Sequence, residues 1–172
     1  EVLKNQQVYN EFSSGAPDVS AIRNLLKLFY DKAPNQSEMP KLLCLFGDGS
    51  YDNRRQTNQN TNFVLTYQSE NSLSPTQSFV TDDFFGMLDD GEGGHDGDLD
   101  IGVGRIPVKS KTEALNAINK IRSYLDISSN GNWRNNLCFI ADDEDYNTHI
   151  AQADELSRIV ENNYPVFNME KI

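Results

Sequence analysis

Three kinds of side chain in this 172-residue chain have the chemistry to bind or react: clustered carboxylates, two histidines and two cysteines. Between Asp82 and Asp100 stand eight acids (Asp82, Asp83, Asp89, Asp90, Glu92, Asp96, Asp98 and Asp100) with no Lys or Arg among them. Like charges at that density repel, so the segment calls for a cation, a basic partner or abundant water. A hard cation such as calcium takes about six to eight oxygens. That makes Asp89, Asp90, Asp96, Asp98 and Asp100 the candidate metal ligands and calcium the candidate cofactor. The Asp96–Asp98–Asp100 spacing imitates the opening of an EF-hand loop. The match then fails, because Ile101 stands where that loop needs Gly and Pro107 where it needs Glu. Coordination here is expected to be irregular, and a solvated loop is the plain alternative.

A second set of acids follows apolar runs. Gly47-Asp48-Gly49 ends one run, and Asp142-Asp143-Glu144-Asp145 ends another. In open α/β sheets ligands bind outside the carboxyl ends of the strands. Asp142, Asp143 and Glu144 are therefore candidate substrate-binding residues, together with His149, which opens the helix that follows. Capping and solvating a turn is the structural alternative for the same residues. His95 sits in the acidic loop and reads as a surface residue; neither histidine has a metal-ligand spacing to a second His or Cys. Cys44 and Cys138 lie within LLCLF and LCFIA, where a thiol behaves as a small hydrophobe rather than as an exposed nucleophile with a base. No catalytic residue is expected in the chain. Neither G-x-G-x-x-G nor a Walker A sequence is present, so no organic cofactor is expected.

The elements that would position these groups follow from periodicity. Asp18 caps a helix running to about Lys32, with Ile22, Leu25, Leu26 and Phe29 on one face. Residues 1–17 and 34–40 read as linkers. Lys41–Phe46 is an apolar strand, Phe63–Thr66 a short strand candidate, and Ile101–Ile106 a stronger one. Ser110 and Glu113 form a capping box for a helix to about Leu125. Leu137–Ala141 is a strand, a helix runs from about Asn147 to Asn163, and Val166–Ile172 resembles a further strand. Apolar strands alternating with amphipathic helices predict an α/β fold: a three-layer α/β/α sandwich with a mostly parallel sheet, residues 1–172 forming a single subdomain.

Composition narrows the function classes. A net charge of −11 argues against nucleic acid and anionic membrane surfaces as partners. No apolar run approaches the ~20 residues of a membrane span. The first residue is Glu1, and no leader pattern follows it, so the chain reads as a fragment of something longer.

VYNEFSSGAPDVSAIR (Val8–Arg23), LLCLFGDGSYDNR (Leu42–Arg54), TYQSENSLSPTQSFVTDDFFGMLDD (Thr66–Asp90), IGVGRIPV (Ile101–Val108) and NWRNNLCFIADDED (Asn132–Asp145) occur in this order along nearly the whole chain. Together they resemble the gingipain family of caspase-like cysteine peptidases, and within it the C-terminal-signal peptidases, or sortases, of type IX secretion in Bacteroidetes. In that family the catalytic His lies in a Gly-His-Gly context at a strand end and the nucleophilic Cys at the end of the next strand. Neither motif occurs here. The resemblance therefore implies the N-terminal half of the peptidase domain, inactive alone, which partners the rest of that domain, walls the substrate cleft and binds calcium. Protein substrates carrying a C-terminal signal and a location at the cell surface or outer membrane are implied in the same way. Arginine-specific members place an acid in the pocket for a basic side chain. The matching position falls near His149–Ile150, where no acid stands, which is compatible with cleavage at small or neutral residues. The alternative reading is an acidic binding module, receiver-like or protein-interacting, holding a divalent cation or a basic partner.

Overall fold

The computed structural model describes all residues except 55–59, 71–72, 75 and 95. The chain has an α/β fold and divides into two compact units, Glu1–Ile118 and Asn119–Ile172, where a single subdomain was expected. Among the described residues no helix is long and apolar enough to cross a membrane.

The first unit holds α1 (Asn5–Phe12), α2 (Val19–Lys32), β1 (Leu42–Phe46), β2 (Tyr67–Gln68), β3 (Val80–Thr81) and β4 (Gly102–Ile106). β1 and β4 pair in parallel from Leu42↔Gly102 to Phe46↔Ile106. The ladder continues into the turn, with Gly47 N donating to Ile106 O and Asp48 N to Val108 O, both at 3.0 Å. β2 and β3 form a short antiparallel pair. The expected strand at Phe63–Thr66 is displaced to Tyr67–Gln68, because the Phe63 and Val64 amides turn to donate to Asp48 O rather than to a neighbouring strand.

α2 begins as predicted, Asp18 Oδ1 accepting from Ser20 N at 2.8 Å. Residues 1–17 are not simply a linker. They contain α1, whose Val8 and Tyr9 are buried against Ala21, Ile22, Leu45, Leu65 and Phe85. The segment is polar enough to hide its helix, and eight residues are too few to hold one without that packing. Leu26, Leu88 and Ile101 bury together beside this core.

Gly86 ends a 3₁₀ turn at the centre of the packing. A Cβ there would lie 2.8 Å from both Leu99 Cδ2 and Val103 Cγ2, so only glycine lets the turn lie on β4.

α3 (Lys111–Leu125) crosses the boundary between the units. Its first turn carries the predicted cap, with Glu113 N donating to Ser110 Oγ at 3.2 Å, while the Glu113 carboxylate reaches back to Lys109 N. The second unit contains β5 (Asn136–Phe139), α4 (Thr148–Asn163) and β6 (Asn168–Lys171), with β5 and β6 parallel.

The apolar strands are not covered on both faces within their units. Leu43 and Leu45 of β1 turn inward while Leu42, Cys44 and Phe46 are exposed; Leu137 and Phe139 of β5 are likewise half-buried and Cys138 exposed. Both cysteines are free and exposed, which corrects the expectation of buried thiols: helices pack on one face of each strand pair.

Candidate functional site

The carboxyl edge of β5 is where the sequence places substrate-binding residues. The chain leaves β5 still paired, Ala141 N donating to Ile172 O at 3.0 Å. Asp142, Asp143 and Glu144 follow, all exposed. Asp145, Tyr146 and Asn147 then adopt left-handed backbone at φ 53°, 58° and 62°, three consecutive residues with none of them glycine. Each such residue costs about 1–2 kcal/mol unless its surroundings hold it. Here Asn147 N donates to Glu144 O at 3.2 Å and Thr148 Oγ1 to Asp145 O at 2.6 Å.

His149 stands one helical turn on, its Nε2 3.4 Å from Asp145 Oδ2. α4 starts without a side-chain cap from Asn147. Among the described residues, the side chains of Asp142, Asp143 and Glu144 make no hydrogen bond or ion pair, so they do not act as caps.

A cleft of about 220 Å³ opens beside this turn, lined by Phe139, Ala141, Ile150, Ala153, Asp154, Lys171 and Ile172. Its wall is apolar apart from one ion pair: Lys171 Nζ lies 2.5 Å from Asp154 Oδ1, with Arg158 at 3.1 Å from the other oxygen. The bond from Lys171 holds the Asp154 carboxyl below its usual range, Arg158 adding to the effect. The structure thus puts Ile150 and Ala153 in the cleft, whereas Asp142, Asp143, Glu144 and His149 do not line it. The apolar helical spacing of α4 reads as ordinary core packing, so this lining left no signal in the sequence.

The acidic loop lies in the other unit, and α2 meets it with two cations and a phenol. Arg23, Lys27 and Tyr30, at i, i+4 and i+7, form one stripe of that helix. Arg23 Nε donates to Met87 O at 2.7 Å and its Nη2 to Glu92 O at 2.9 Å. Lys27 Nζ is 2.9 Å from Asp90 Oδ1, 3.1 Å from Asp31 and 2.9 Å from Leu88 O. The Tyr30 hydroxyl lies 3.3 Å from Asp89 Oδ1 and 3.2 Å from Asp100 Oδ1.

The second Asp100 oxygen accepts from Leu88 N at 2.6 Å, and Glu92 accepts from the Asp89 and Asp98 amides. Lys27 holds the Asp90 carboxyl below its usual range and is itself raised, first by its bond to Asp90 and then by Asp31. Tyr30 is raised by loss of water around its hydroxyl and then by the charges of Asp100 and Asp89.

Of the five acids expected as metal ligands, Asp89, Asp90 and Asp100 each contact α2 through Lys27 or Tyr30, and all five, Asp96 and Asp98 included, are exposed. Among the described residues no group of three His, Cys, Asp or Glu side chains is placed to hold a metal. His95 lies outside the described residues.

Arg105 is the residue the sequence reading passed over. Its side chain, 12% exposed, sits on β4 and uses its whole donor fork. Nε and Nη2 bind the two oxygens of Asp82 at 2.7 Å, Nη1 donates to Gly47 O and Val64 O at 2.8 Å, and Nη2 also donates to Leu65 O at 3.1 Å. Asp82 was counted among acids lacking a basic neighbour; in space its neighbour is Arg105. Asp48, at the end of β1, accepts from Thr61 Oγ1 and lies 3.8 Å from Lys109 Nζ, so it is part of the same framework.

Neither thiol meets a histidine among the described residues, where His149 pairs with Asp145.

With this geometry in view, the comparisons with known proteins are direct. Peptidase family C25 matches residues 1–172. The crystal structure of dimeric latent PorU from Porphyromonas gingivalis is similar at 38% identity with a TM-score of 0.61, the likeness covering 77% of this chain and 14% of that one. The chain therefore spans a small part of that structure's length. No match was found among curated proteins.

Proposed function

Because the chain belongs to peptidase family C25, the family of the gingipain cysteine peptidases, we propose that it is a non-catalytic subdomain that helps to form the substrate cleft of such an endopeptidase. The observation that carries this reading is the edge of β5. Three exposed acids with no partner among the described residues and a strained left-handed turn stand beside an apolar cleft, at the end of the strands where α/β sheets bind ligands. The apolar lining suits a small or neutral substrate side chain better than a basic one. The complete enzyme is proposed to process secreted proteins bearing a C-terminal signal in type IX secretion, at the cell surface or outer membrane; the likeness to PorU supports this.

The test is Asp143→Asn and His149→Ala in the complete enzyme, with cleavage efficiency and melting temperature both measured. A role at the rim of the cleft, on the turn beside its lining, predicts a changed kcat/KM at an unchanged melting temperature. Unchanged cleavage with lowered stability returns both residues to a structural role.

A further inference from the structure

The eight acids of 82–100, like the family resemblance, suggest a calcium ion. The oxygen donors of the described residues do not fit one. Calcium takes about six to eight oxygens drawn in to roughly 2.3–2.6 Å. Five carboxylate oxygens of this loop face hydrogen donors instead: both Asp100 oxygens, one through Leu88 N and one through Tyr30, the Asp89 Oδ1 through Tyr30, and the Glu92 pair through backbone amides. Among the described residues, oxygens of Asp90 and Leu88 from the loop and of Asp31 from α2 itself converge on one centre, Lys27 Nζ, at 2.9–3.1 Å. Those are the lengths of charge-assisted hydrogen bonds to an ammonium.

We propose that the Lys27 ammonium is the resident cation of the acidic loop, tethered to α2, so that residues 87–92 and Asp100 dock on the helix without any divalent metal. Two carboxylates and a backbone carbonyl need a positive centre, and the helix delivers one on a side chain only 23% exposed. Arg23, one turn earlier, fixes the carbonyls of Met87 and Glu92 on either side of the Asp89–Asp90 pair, and Tyr30, one turn later, spans Asp89 and Asp100. The loop is thereby registered to the helix at three successive turns. This is independent of the peptidase reading and would stand if that reading failed.

The experiment is hydrogen–deuterium exchange of the complete protein, followed by mass spectrometry of the peptides spanning 87–100, with millimolar calcium or with a chelator. Wild-type exchange in this segment is expected to be the same under both conditions. In Lys27→Met the segment is expected to exchange about tenfold faster or more, since a bond to a charged group is lost, while Leu42–Phe46 exchanges as in wild type. Asp90→Asn, at the most exposed partner, is expected to loosen the same peptides and guards against a folding defect in the lysine variant. Calcium-dependent protection of the wild-type segment, or unchanged exchange in both variants, overturns the proposal.

Discussion

At the residue scale the molecule turns on Arg105. A guanidinium with its donors matched to one carboxylate and three carbonyls is stable only while all of them stay in place, because an unpaired buried charge costs several kcal/mol. Arg105→Ala is therefore expected to lower unfolding free energy by about 3–5 kcal/mol, read from the midpoint of a denaturant titration at constant slope. Arg105→Lys should recover only part of this, since an ammonium cannot span Asp82 and the Val64 and Leu65 carbonyls at once. This residue was hidden in the sequence because IGVGRIPV reads as a strand with one charged position, and nothing local says which carbonyls lie within reach. The position of Asp142–Glu144 at the end of β5, though not the cleft lining beside it, was legible for the opposite reason: it depends only on the strand before them.

Between helices and loops, the consequential element is the Arg23–Lys27–Tyr30 stripe of α2. Its ionisations give the docked loop a defined pH window. Asp90 is depressed in the folded state, so its contribution is complete above the ordinary aspartate value of 3.8 and is lost as pH falls through the lower folded value. Lys27 and Tyr30 are raised, so theirs are complete below 10.5 and 10.0 and are lost as pH rises through the higher folded values. Protection of the 87–100 amides is expected to be flat across neutral pH and to fall at both ends, as checked by exchange corrected for intrinsic rates. Loosening that begins at pH 6–7 would point to a histidine instead.

Most elements were readable because caps and apolar periodicity are local: α2, α3 and α4 begin where Asp18, Ser110 and the acidic turn said they would. α1 escaped because its apolar positions are few, and the β2–β3 pair because its partners are separated by a polar stretch with no hairpin turn chemistry. The charge balance of the acidic loop also escaped, since Arg23 and Lys27 lie some sixty residues away in sequence. The i, i+4, i+7 stripe was the available sign.

On the scale of the whole molecule, membership of a cysteine peptidase family and exposed cysteines pull in different directions. Exposure is one requirement for a nucleophile, and both thiols meet it; a base within hydrogen-bond reach is the other, and neither has one among the described residues. Cys44→Ala and Cys138→Ala in the complete enzyme are accordingly expected to leave kcat/KM within about twofold of wild type, because they remove nothing that acts only in the transition state. A loss on the order of 10³-fold in either variant would identify a catalytic thiol in this segment.

The Arg105 junction also bears on the order in which the first unit assembles. Its carbonyl partners lie 58, 41 and 40 residues earlier in the chain, so the junction cannot close until the long excursion between β1 and β4 has been gathered in. Contacts of such separation reward the chain only after its loop entropy has been lost, and the expectation is that this junction, which needs β1, β4 and the segment between them in place at once, closes after the rate-limiting barrier. In a chevron plot Arg105→Ala should then steepen the loss on one side only, raising the unfolding arm while the folding arm stays put. Arg105 would act less as a guide to folding than as a lock on the folded state, setting how long the native unit persists rather than how quickly it is reached.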